Sequence, residues 1–183
     1  VPLIEKAFAK AMGSYASIES GRLVEALGLL TGAPCEDLDL RDDGKSSNGG
    51  AADERDREEL LWAKVISYDE AGFLMGASCS SRGKRGEDSR AHRERAEAAE
   101  AMGLITDHAY SLLAVMMVGS TRLVKLRNPW GRGEWRGDFS PGHHSWTAEL
   151  RAEAARTHAA EADGSAEGGS GVFWMSWRDF LTY

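Results

Sequence analysis

Residues 108–131, HAYSLLAVMMVGSTRLVKLRNPWG, constrain this chain more than any other segment. Two apolar runs rich in β-branched and aliphatic side chains flank Gly119-Ser120, the pattern of two antiparallel strands joined by a tight turn. Helical patterns precede them. PLIEKAFAKAM (2–12) puts Leu3, Ile4, Ala7, Phe8, Ala11 and Met12 on one helical face, with Pro2 suited to a first turn and Gly13 to the stop. RLVEALGLL ends at Thr31-Gly32, and EELLWAKVISY ends near Gly72 before FLMGASCSS, which reads as a short buried strand. The chain closes with VFWMSWRDFLTY, an aromatic strand followed by Ser176 and Asp179 in capping-box spacing. Helices first and antiparallel strands afterwards predict an α+β domain, an antiparallel β-sheet with helices packed at one side.

Charge then separates what packs from what is solvated. Residues 36–59 carry 14 charged side chains in 24 and residues 82–100 carry 11 in 19, too many to offset the entropy of ordering by burial. A third stretch, 141–171, becomes rich in Ala, Glu and Gly from residue 151. These three regions (36–59, 82–103 and 141–171) read as insertions, either loops or solvated helices. The formal net charge of −7 argues against a nucleic-acid partner, which calls for a basic patch. No run approaches 18 apolar residues, so no membrane span is expected. Cys35 and Cys79 are too few and too far apart for a disulfide framework or a zinc site. That favours a reducing compartment and a cytoplasmic location. Val1 is not an initiator Met, so the sequence reads as an excerpt.

No Walker loop, HExxH, CxxC pair or GxSxG elbow is present. His143-His144 lacks ligand-spaced neighbours, and His92 and His158 sit in charged insertions. His108 differs, because it opens an apolar strand where packing needs no imidazole. The partner strand ends in Arg127-Asn128-Pro129-Trp130-Gly131, where Pro129 stops pairing and holds Asn128 extended. A neutral imidazole can take a proton from a thiol and return it to a leaving amine. An amide oxygen can hold the other ring nitrogen, under an indole that screens the bond from water. On spacing alone, a structural His at a strand end with Asn as a turn former is the better reading, because both residues are common at strand ends. A strict two-residue turn would pair Ser111 with Asn128 and turn His108 to the opposite face. The chemical use therefore requires a bulge or an odd loop.

The sequence resembles the second half of the calpain-type cysteine protease catalytic core, the subdomain that carries a histidine and an asparagine. The matching stretches are residues 5–32, LLWAKVISYDEAGFLMGAS (60–78), DHAYSLLAV (107–115), LVKLRNPWGRGEWRGDFS (123–140) and FWMSWRDFLTY (173–183). They follow family order across residues 1–183, with the charged insertions between them. The resemblance implies that His108 is the general base and acid, Asn128 orients it, and Trp130 supports the site. It implies protein substrates, and a nucleophilic cysteine in a preceding subdomain, so that the excerpt alone is inactive. Neither Cys35 nor Cys79 matches that cysteine's position. Asp107 stands where the family more often has Gly. The family's calcium loops keep one matching acid, Glu134, while Pro141 and Ser170-Gly171-Val172 replace the others. Calcium prefers six to eight oxygens, so its ligand positions are largely lost. The rival expectation is a non-catalytic calpain-like binding or scaffold module.

Overall fold

The structure is a computed structural model and describes residues 2–40, 51–79, 89–132, 135–157 and 171–183. The chain divides into two units, Val1–Asp39 and Leu40–Tyr183.

In the first unit, α1 spans Pro2–Ala11 and is followed by Gly13 at φ +99°. A 3-10 turn covers Ala16–Ile18, and α2 runs over Leu23–Thr31. Gly32, left-handed at φ +69°, closes α2 by donating its N–H to Gly28 O at 2.9 Å. Such a cap has no steric cost only for glycine. Both helices form where periodicity and stop residues put them. Their apolar face is not covered, however: Leu3, Ile4, Met12, Leu29 and Leu30 are exposed, while Ala9, outside the apolar stripe, is buried.

The second unit holds α3 (Ala51–Glu70), β1 (Met75–Cys79), α4 (Ser89–Ala101), β2 (His108–Val118) and β3 (Thr121–Arg127). It continues with α5 (Ala148–Thr157), β4 (Val172–Ser176) and α6 (Trp177–Thr182). The four strands form one antiparallel sheet in sequence order, so the class is α+β as expected. Each charged stretch contributes helix among its described residues, through α3, α4 and α5. Met116, Leu123 and Leu150 pack together, with Trp146, Phe139 and Trp174 against them. Ser176 caps α6 as its spacing predicts, accepting from Asp179 N at 3.0 Å and donating to Asp179 Oδ2 at 2.7 Å. One element differs from its expectation. β1 is an edge strand with alternating exposure, not a buried one, and Phe73 and Leu74 before it are exposed.

The register decides the site. Val118 pairs with Thr121 across Gly119-Ser120, the two-residue turn that would put His108 and Asn128 on opposite faces. Between Leu112 and Ala114 the ladder shifts by one residue, so Ser111 meets Arg127 instead of Asn128. This bulge moves Asn128 onto the face that carries Tyr110 and His108. Met75 pairs with Leu112, where β1 begins, and beyond it the Val115 N–H bonds Asp69 Oδ2 at 3.1 Å. Asp69 sits in the last turn of α3, where a carboxylate opposes the helix dipole. Its bond to the strand offsets that local penalty.

Candidate active site

His108 begins β2 directly after Asp107, whose φ of +51° lies in the left-handed region. Asp tolerates that conformation better than most residues, and Gly adopts it freely. Both Asp and Gly can therefore meet the backbone demand at position 107. On the other strand Pro129 ends pairing, and the chain turns over Asn128–Gly131, closed by Gly131 N to Asn128 O at 3.0 Å. His108 Nε2 and Asn128 Oδ1 stand 2.8 Å apart.

The asparagine is fully buried and its amide cannot be reversed. Oδ1 also accepts from Trp130 N at 3.0 Å, and Nδ2 donates to the Arg132 carbonyl. A flipped amide would set donor against donor at Trp130 and acceptor against acceptor at Arg132. Because Oδ1 only accepts, Nε2 of His108 must carry its proton. Neutral His108 therefore presents Nδ1 as its lone-pair nitrogen, and no described residue is hydrogen-bonded to it.

Two aromatics hold the ring. Trp130 lies over the imidazole with centroids 4.2 Å apart, while Tyr110 meets it edge-on at 5.1 Å. The Tyr110 hydroxyl accepts from Ile105 N at 2.7 Å, tying down the loop that leads into His108. Burial pushes the Tyr110 phenol above the ordinary tyrosine value, a hydrogen bond to Ile105 opposes this, and nearby Cys79 adds to it. The chemistry such a cluster can perform is proton transfer at Nδ1 by a ring fixed in tautomer and tilt.

Of the residues singled out in the sequence, His108, Asn128 and Trp130 come together, and Glu134 lies outside the described residues. At the other calcium-loop positions, Pro141 has no side-chain oxygen, and Val172 is buried in the ladder opposite Arg127. Among the described residues no group of three or more His, Cys, Asp or Glu side chains could hold a metal ion. His143 bonds Ser145 Oγ at 3.1 Å, stands 3.7 Å from Asp138 Oδ1 and lies against His144 with ring centroids 4.2 Å apart. His158 and the side chain of His92 lie outside the described residues. Cys35 is exposed, while Cys79 is buried opposite His108 in the ladder and donates its thiol hydrogen to Tyr183 O at 3.3 Å. Sequence reasoning passed over Tyr110, Asp69, Gly171 and the Arg132 carbonyl. Asp69 contributes through a partner 46 residues away, Tyr110 through a backbone N–H five residues before it, and a backbone group has no sequence signal at all.

The family profile described as calpain family cysteine protease matches residues 1–183. This chain belongs to the calpain family of cysteine proteases. It is 33% identical over 181 residues to "Calpain-type cysteine protease ADL1" of Oryza sativa subsp. japonica, covering 98% of this chain and 7% of that protein. It is 34% identical over 181 residues to "Calpain-type cysteine protease DEK1" of Arabidopsis thaliana, with the same coverage. Against "Calpain-5" of Mus musculus the identity is 28% over 193 residues, covering 99% of this chain and 27% of the relative. The calpain-family chain thus spans a small part of the relatives it matches. No helix among its described residues is long and apolar enough to cross a membrane.

Proposed function

We propose that this chain supplies the histidine and asparagine of a calpain-type cysteine endopeptidase acting on protein substrates. The observation that carries the proposal is the 2.8 Å Nε2–Oδ1 pair, with the amide oriented by two backbone groups. His108 Nδ1 takes the proton of a cysteine thiol from another part of the full-length protein, and the thiolate attacks the peptide carbonyl carbon. The resulting Nδ1–H then protonates the leaving amine as the C–N bond breaks, leaving an acyl-thioester. Nδ1 next removes a proton from water, which attacks the thioester carbon, and as the C–S bond breaks the proton passes from Nδ1 to the departing thiolate, releasing the acid product. Asn128 holds the ring throughout, and Trp130 keeps water from the Nε2–Oδ1 bond.

Neither Cys35 nor Cys79 is the nucleophile in this mechanism, so the chain alone performs no turnover. Calcium enters no step. The test treats the full-length protein and its His108→Ala variant with a peptidyl thiol-reactive probe. The wild type labels on a single cysteine outside this chain, and the variant labels and cleaves about 10³-fold more slowly. Absence of labelling in wild type, or equal rates in both, overturns the proposal in favour of a binding or scaffold role.

A further inference from the structure

Gly171 is the residue immediately before β4. Its carbonyl accepts from Asn128 N at 2.8 Å, and its neighbour Val172 pairs with Arg127, so this bond extends the β3–β4 ladder to the end of the strand. Gly171 has φ +73°, and a Cβ on it would lie 2.6 Å from Asn128 O and 2.9 Å from the Cα of Gly131. Both neighbours are backbone atoms that cannot swing aside as a side-chain tip can. They also delimit the turn that carries Trp130 N and leads to the Arg132 carbonyl, the two groups that orient the Asn128 amide.

Left-handed φ alone does not single out this glycine. Gly142 has φ +76° and nothing within 4 Å of its would-be Cβ, and Gly119 and Gly32 are likewise open. What sets Gly171 apart is close approach to the turn that presents Asn128. We infer that Gly171 is a positioning residue for the His108–Asn128 pair. Its carbonyl anchors Asn128, and the space left by its missing side chain is occupied by the Asn128–Gly131 turn. This inference rests on the catalytic reading of that pair.

The experiment compares Gly171→Ala with Gly142→Ala in the full-length protein. The two share the backbone penalty of alanine at positive φ, but only the first meets the turn. Gly171→Ala is expected to lower kcat about 10- to 100-fold with KM within about twofold, as displacement of a reacting group does. Gly142→Ala should leave both near wild type. A parallel readout needs no activity: long-range 1H–15N spectra of the 15N-histidine-labelled protein report which nitrogen of His108 carries the proton. Wild type and Gly142→Ala should show the Nε2–H form, and Gly171→Ala a mixture of tautomers. Equal kcat values, or an unchanged His108 tautomer in Gly171→Ala, would overturn the inference. An inactive wild type with the expected tautomer pattern across the three proteins would instead count against the catalytic proposal and leave the positioning role standing.

Discussion

The β2–β3 hairpin and the α1–α2 unit both announce themselves by apolar periodicity, yet they end in opposite states. In the hairpin, Leu123 and Val124 are fully buried and Asn128 has its polar atoms paired. In the helical unit, Leu3 remains 82% exposed and Ala9 is the one buried residue among those described. Periodicity states which face of an element is apolar; it does not say what covers that face. The apolar side chains of the hairpin are covered by Leu150 of α5 with Phe139 and Trp146, whereas two short helices of a 39-residue unit have too little volume for a core of their own. The hydrogen bonds that fix His108 lie in the unit that has such a core, where backbone atoms hold their places without help.

Four tests break or sharpen that contrast, from the largest effect downward. Asn128→Ala removes the amide from a fully buried position and strands Trp130 N–H and the Arg132 carbonyl. A stability loss of about 2–4 kcal/mol in denaturant unfolding should accompany loss of peptidase activity in the full-length protein. If activity fell without any loss of stability, the site would be less dependent on its buried scaffold than the packing implies.

Leu123→Ala empties a fully buried position and should cost about 3 kcal/mol, whereas Leu29→Ala, at a 59% exposed position, should cost under about 0.5 kcal/mol. Comparable costs would mean that the helical face is covered in solution after all.

A pH series addresses Tyr110. Its phenol titrates above the ordinary tyrosine value, so the folded chain holds that proton more tightly than the unfolded chain. The associated stability is whole below about pH 10, the value of an unfolded tyrosine, and is lost as pH rises through the folded value. Tyr110→Phe should show a smaller alkaline decline in melting temperature than wild type. A decline of equal size in both would assign it to other groups.

The smallest effect is expected at Asp107, where φ is +51°. Asp107→Gly relieves the left-handed backbone but loosens the unfolded chain, so thermal unfolding should register a change of within about 1 kcal/mol. Asp107→Val, whose branched side chain resists that conformation, should be clearly worse.

What could be read from the sequence alone lies where a signal acts within a few residues. Pro2, Gly13 and Gly32 mark helix ends, Gly119-Ser120 marks the turn, and Ser176 with Asp179 marks the start of α6. His108 and Asn128 draw notice as polar groups at the ends of apolar strands, but spacing alone favours a structural histidine, and their candidate roles, with that of Trp130, come from the family resemblance. The sequence also exposed the problem that a two-residue turn would separate the first two.

Tertiary structure resolved that problem. The bulge between Leu112 and Ala114 sets the common face, Asp69 of α3 bonds the strand just beyond it, and Gly171 clamps the turn from a third strand. None of these has a local signature, because register is settled by pairing energies summed over whole strands and by partners dozens of residues away. The same holds for the Nε2–H tautomer of His108. It follows from one N–H and one C=O of the backbone, groups that every non-proline residue carries and whose placement only the folded chain determines.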